Sequence, residues 1–141
     1  MYPDKIVIET VDRIKDLYSV VSSDVSVLDP DVESGLLGRT LRYHLEKSRD
    51  GISQKTNIDR RYDDFLKAAG LKNIKEQYRN ALHLIIHEKD DKISLGPTSN
   101  GGPTGQNRGF RNTKDQPLIV DTNATDMELG DSVRLGWSKC M

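Results

Sequence analysis

The chain has 141 residues, enough for one domain. At that length folding buries about two-thirds of the surface an unfolded chain exposes, so a core forms without disulfide or metal staples. Apolar residues make up 35% and charged residues 30%, which predicts a modest core and a sizeable share of loop, and a net charge of −1 excludes a strongly basic or acidic protein. No apolar run approaches the roughly 20 residues that cross a bilayer, and Met1-Tyr2-Pro3-Asp4 opens no signal peptide, so the expected location is the cytoplasm, where the lone Cys140 stays reduced.

The near-neutral total hides an uneven distribution. Through Gly35 the net charge is −5, and from Leu36 to Asn80 it is +5. Such asymmetry steers a charged partner, although two segments of opposite sign also neutralise each other or solvate helix faces.

In chain order, Lys5-Ile6-Val7-Ile8 reads as extended, and Val11, Ile14, Tyr18 and Val21 then recur at helical spacing. Strand followed by helix is the reading, while the β-branched run Val20, Val21, Val25 and Val27 suits a strand equally. Asp29-Pro30 reads as an N-cap with proline in the first helical position, and Asp31 and Glu33 lie on the positive end of the dipole. That helix is predicted over about residues 30 to 47, burying Leu37, Leu41 and Leu45. After a polar loop around Asp50-Gly51, a second helix over about 59 to 69 carries Tyr62, Phe65, Leu66 and Ala69 on its apolar face and stops at Gly70. Leu82 to His87 and Ile93 to Leu95, joined by Glu88-Lys89-Asp90-Asp91, predict a hairpin.

Five glycines and two prolines between Gly96 and Arg111 oppose any regular element, so residues 98–112 are expected to form a mobile loop. Pro117 to Asp121 restores a strand. Thr125-Asp126-Met127-Glu128 has the spacing of a capping box ahead of a last helix, about 126 to 139, with Leu129, Val133, Gly136, Trp137 and Cys140 on one face. The first and last helices each place a glycine directly after a leucine, Leu37-Gly38 and Leu129-Gly130. A mid-helix glycine costs about 1 kcal/mol relative to alanine, so both are predicted to mark close approach of a helix to the sheet. The sum is a single α+β domain over 1–141, a mainly antiparallel sheet packed by three to four helices. Its expected core is Leu41, Leu45, Phe65, Leu84, Ile86, Leu129, Val133 and Trp137.

No reaction centre emerges from the residues. The stretch Gly101 to Gly109 lacks the lysine and following helix of a phosphate-binding loop. In a strand, His83 and His87 stand about 13 Å apart along the chain, too far to share a metal. Asp63 and Asp64 are adjacent and diverge on a helix, and no serine or cysteine sits in a nucleophile elbow. The expectation is a protein that is not an enzyme and needs no cofactor, metal or small-molecule ligand.

The ordered set Leu37-Gly38, Leu45, Ser48-Arg49, Phe65-Leu66-Lys67-Ala68-Ala69-Gly70, Ile93-Ser94-Leu95-Gly96-Pro97, Gly109-Phe110, Glu128-Leu129-Gly130 and Val133 resembles the immunity proteins of bacterial contact-dependent growth inhibition systems. The likeness spans about residues 33–140 and rests on packing signatures rather than catalytic ones. It implies a small protein that binds and neutralises the C-terminal toxin domain of a cell-surface effector, commonly a nuclease, and it brings no catalytic residues. A basic nuclease would be met by acids, which makes Asp12, Asp16, Asp24, Asp29, Asp31 and Glu33, with Glu88, Asp90 and Asp91 of the hairpin turn, the candidate partner-binding residues. Neither a membrane nor nucleic acid is an expected direct partner. The alternatives are a nucleic-acid-binding regulator using the basic segment 39–79 and a small nuclease-like enzyme.

Overall fold

The computed structural model describes residues 1–53 and 58–141. The element order is β1 (Ile6–Arg13), β2 (Ser19–Leu28), α1 (Ser34–Lys47), α2 (Ile58–Ala68), α3 (Ile74–Tyr78), β3 (Leu84–Lys89), β4 (Lys92–Asn100), β5 (Phe110–Asn112), β6 (Leu118–Asp121) and α4 (Asp126–Trp137). All strand pairs among these elements are antiparallel, β1 with β2 in one ribbon and β3, β4, β5 and β6 in a second sheet. The architecture is a single α+β domain.

The opening segment corrects the strand-then-helix reading. The ribbon register runs from Ile6 opposite Leu28 to Arg13 opposite Ser19, so Val11, Ile14, Tyr18 and Val21 sit in or beside a hairpin. Both faces of the ribbon are covered over part of its length, with Val11 and Val27 left exposed. Ile6 and Ile8 pack into the core shared by α1 and α4, while Val7, Val21 and Val25 pack with Phe65 of α2. Between Glu9–Val25 and Val11–Val21 the register slips, leaving Ser22, Ser23 and Asp24 opposite Thr10 alone.

The helix assigned to residues 30–47 begins later. Asp29 accepts the Asp31 amide on Oδ1 at 2.8 Å and the Val32 amide on its carbonyl at 3.1 Å, closing a turn around Pro30. That geometry uses the aspartate as an Asx turn instead of an N-cap, and α1 starts at Ser34 behind Glu33, whose side chain makes no cap. At the other end of the chain the capping box is as expected. Thr125 Oγ1 accepts the Glu128 amide at 3.2 Å, and Glu128 Oε2 accepts the Thr125 amide at 2.7 Å.

The stretch expected to be irregular also carries strand. Strand β4 runs through Gly96 and Pro97 to Asn100, pairs with β6 over Lys92–Leu95 and then with β5 over Thr98–Asn100. The Pro97 carbonyl accepts from the Thr113 hydroxyl at 3.2 Å. Between the paired strands, Gly101 donates to the Gly109 carbonyl and Gly109 to that of Gly102, at 2.9 and 3.1 Å, closing the glycine loop on itself.

Ile6, Leu37, Leu41, Ile93, Leu95, Leu129, Val133 and Trp137 form the main core, and Phe65, Ala69 and Leu71 a second cluster under α2. Leu45, Leu84 and Ile86, expected at the centre, are half-buried at its margin. Ile93 and Leu95, fully buried on β4, take the central place.

Gly38 and Gly130 do mark a close approach, but of helix to helix. A Cβ at Gly38 would stand 1.9 Å from the Asp126 carbonyl oxygen at the start of α4, and a Cβ at Gly130 would stand 1.9 Å from the Ser34 carbonyl oxygen at the start of α1. The contact is reciprocal, each glycine admitting the first residue of the other helix. Arginines repeat the relation four residues on. Arg42 donates to the Thr122 and Ala124 carbonyls ahead of α4, and Arg134 to the Pro30 and Val32 carbonyls ahead of α1. Both helices read Leu-Gly-x-x-apolar-Arg, Leu37 to Arg42 and Leu129 to Arg134, a repeat that foretells the lock once its arginines are included.

Candidate functional site

The predicted acidic residues divide by location. Asp16 is exposed in the β1–β2 connection with φ of 61°, a conformation aspartate tolerates better than most residues. Asp24 is half-buried and its amide is held by Ser22 Oγ at 3.0 Å. Asp29, Asp31 and Glu33 are exposed on the approach to α1. Glu88, Asp90 and Asp91 are exposed at the β3–β4 turn, where Asp90 and Asp91 have φ of 52° and 58°, the pair of left-handed residues a two-residue hairpin turn requires. These carboxylates are available to solvent. They do not converge on one pocket.

Asp12 departs from the set. It is 1% exposed, its Oδ1 accepts the Arg49 amide at 2.9 Å, and its Oδ2 lies 2.7 Å from Arg49 Nη2 and 3.1 Å from Arg61 Nη1. Burial by itself would push this carboxyl up. The hydrogen bonds from the side chain and backbone of Arg49 and from Arg61 outweigh burial and hold the carboxyl below its ordinary value. Asp12 therefore joins β1 to the segment after α1 and to α2, and it cannot face a partner.

A second polar chain fixes α1 on the ribbon. His44 is buried, with Nδ1 2.7 Å from Thr10 Oγ1 and Nε2 2.8 Å from Ser26 Oγ. Burial depresses the imidazole pKa, and the nearby Asp24 charge opposes that only in part. His83 precedes β3, stacks on Phe110 with centroids 4.2 Å apart, and burial takes its pKa down to about 4. His87 is exposed, and among the described residues no group of three histidine, cysteine, aspartate or glutamate side chains is arranged to hold a metal ion.

Three arginines of the basic segment are engaged by groups of the fold, while Lys47, Arg60, Lys67, Lys72, Lys75 and Arg79 are exposed. Arg49 and Arg61 serve Asp12, and Arg42 serves Asp126 at 3.0 Å together with two carbonyls. Arg39 remains open to solvent, 3.6 Å from Asp126. Among the described residues no helix is long and apolar enough to cross a membrane.

One concavity escaped the sequence reading because its walls come from separate elements. A cleft of about 360 Å3 opens between the start of β2 and α2, with Tyr18, Val20 and Val21 on one side and Asp59, Tyr62 and Asp63 on the other. Tyr62 donates its hydroxyl to Gln77 Oε1, and burial raises its pKa to about 12. Tyr18 is 54% exposed.

This α+β architecture, a two-stranded ribbon and a four-stranded antiparallel sheet packed by four helices among the described residues, recurs in solved structures. A protein of unknown function, NMB0488 from Neisseria meningitidis, matches with a TM-score of 0.82 at 15% identity, over 100% of this chain and 92% of that one. A CdiA-CT/CdiI toxin and immunity complex from Yersinia pseudotuberculosis matches with a TM-score of 0.80 at 17% identity, over 100% of this chain and 94% of that one. At such identities the likeness speaks to the fold. No curated protein matches the chain. The family model of CdiI, the CDI immunity protein, matches residues 1–140, and the chain belongs to that family.

Proposed function

We propose that this protein binds the toxin domain of a contact-dependent growth inhibition effector in the cytoplasm and neutralises it without catalysis, and that the toxin is a basic nuclease. The family match over residues 1–140 carries the immunity reading. The nuclease reading draws its support from the exposed carboxylates at Asp16, Asp29, Asp31 and Glu33 and the half-buried one at Asp24, with Glu88, Asp90 and Asp91 as a second acidic edge. Charges of this kind act chiefly on association rate and specificity. The internal engagement of Arg42, Arg49 and Arg61 argues against the alternative, a regulator that grips nucleic acid through residues 39–79.

Growth of cells expressing the toxin domain encoded beside this gene tests the reading. Co-expression of the protein is expected to restore growth, and the purified protein to abolish RNA or DNA cleavage by that toxin at equimolar ratio. Toxicity that persists in the presence of folded protein refutes the immunity role. Full inhibition of a toxin that cleaves no nucleic acid refutes the nuclease assignment alone. Neutralising Asp16 and Asp24 to asparagine is expected to slow association at low salt and flatten its ionic-strength dependence.

A further inference from the structure

We propose that the cleft between Tyr18 and α2 is the receptor for an arginine or lysine side chain presented by the toxin domain, an assignment that rests on the immunity reading above. Asp59 and Asp63 lie one turn apart on the same face of α2, and neither has an ion-pair partner among the described residues. Two like charges at that spacing repel, and an incoming cation relieves the repulsion as it binds. The opposite wall supplies what the rest of a basic side chain needs. Val20, buried, and Val21, half-buried, give apolar surface for an aliphatic stem, and the rings of Tyr18 and Tyr62 give electron-rich faces to a cationic head.

The two tyrosines differ in a way that suits recognition. Tyr62 is fixed in advance by its bond to Gln77 and by packing on Phe65 at a centroid separation of 5.9 Å, so its ring needs little further ordering. Tyr18 is exposed on the hairpin connection, its carbonyl accepting the Ile14 amide at 3.1 Å, and its ring is open to contact with a guest. A volume of about 360 Å3 stands at the small end of ligand pockets, matching one long side chain better than a cofactor. Tyrosine walls around a desolvated anchor are also what interface hot spots have in common. Charge selects the occupant: an apolar peptide would leave both carboxylates without a counterion.

Binding of the purified toxin domain to the intact protein, measured by surface plasmon resonance at two salt concentrations, tests the assignment. The D59N/D63N double variant is expected to weaken binding about tenfold or more with a weaker salt dependence, and Y18A to weaken it about fivefold, chiefly through faster dissociation. All three side chains are on the surface, so the thermal midpoints of both variants should match that of the parent, and protection from hydrogen exchange at residues 18–21 and 59–63 should rise in the complex. A parent that binds toxin while D59N/D63N binds within twofold of it overturns the cleft and leaves the immunity role standing. A folded parent that fails to bind the toxin at all overturns both.

Discussion

The α1–α4 contact and the ribbon–α2 contact join helices to the same small domain by opposite means. Between α1 and α4 the backbones touch through Gly38 and Gly130, with Leu37, Leu41, Leu129 and Val133 buried beside them. Between the ribbon and α2 a buried carboxylate, Asp12, holds two guanidiniums, with the small Phe65 cluster alongside. The first contact is set chiefly by shape, with the Arg42–Asp126 pair at its edge. The second is set by charge, and it is weak evidence for net stability but strong evidence for sensitivity, because a buried ion pair loses most when one partner is removed.

Asp12→Ala should produce the largest effect, a loss of roughly 3–5 kcal/mol in urea denaturation, since Arg61 would be left half-buried without its counterion. A loss below about 1 kcal/mol would show that solvent replaces the carboxylate freely and erase the contrast. Leu41→Ala, on the shape side, is expected to cost about 2–5 kcal/mol. Gly38→Ala and Gly130→Ala follow at about 1–3 kcal/mol each, despite alanine's better helix propensity, because the added carbon meets backbone that cannot swing aside. Equal or improved stability in both alanine variants would mean that the helices separate without penalty.

Acid titration separates the regions further. His44 and His83 both have pKa values depressed by burial, so the folded state prefers them neutral while the unfolded chain takes up protons first. Their contribution is complete above the unfolded value of about 6.5 and is lost as pH falls below it. His44→Gln should therefore remove its part of the loss below about pH 6.5, leaving the share due to His83 and the opposing gain from Glu9, whose carboxyl burial raises to about 7. Asp12 adds its own loss at lower pH, beneath the ordinary carboxylate range. Arg39→Gln should do least, under about 0.5 kcal/mol, since its pairing with Asp126 is exposed. A larger loss would move Arg39 into the α1–α4 lock.

The elements that sequence periodicity placed well are those whose local signals agree with their surroundings. Thr125 to Glu128 carries its cap within four residues, and Phe65 and Ala69 sit on one face of α2 with Gly70 after it, at φ of 64°. The ribbon departs from the helical reading past its first strand because Val11, Ile14, Tyr18 and Val21 share a spacing but not a face: Ile14 is buried while Val11 and Tyr18 are exposed around the hairpin connection. Asp29 was misplaced because one residue type serves both N-caps and Asx turns, and only the backbone decides between them. Of the acidic candidates, all but Asp24, which is half-buried, and Asp12 are exposed, and the burial of Asp12 depends on arginines from two later elements. The cleft had no local signal, since Tyr18 and Asp59 meet only once the ribbon has docked.

The reciprocal lock of α1 and α4 also sets a timetable for the chain. Arg42 reaches a partner 84 residues later, and Arg134 one 104 residues earlier, so α1 is synthesised long before the helix that completes its buried face exists. Closing so long a loop is entropically costly and slows folding relative to local contacts. A nascent chain thus carries Leu37 and Leu41 covered only on the ribbon side, by Ile6 and Ile8, until α4 emerges, and translation that stops short of Asp126 leaves a fragment with the α4 side of that apolar face open to chaperones and proteases.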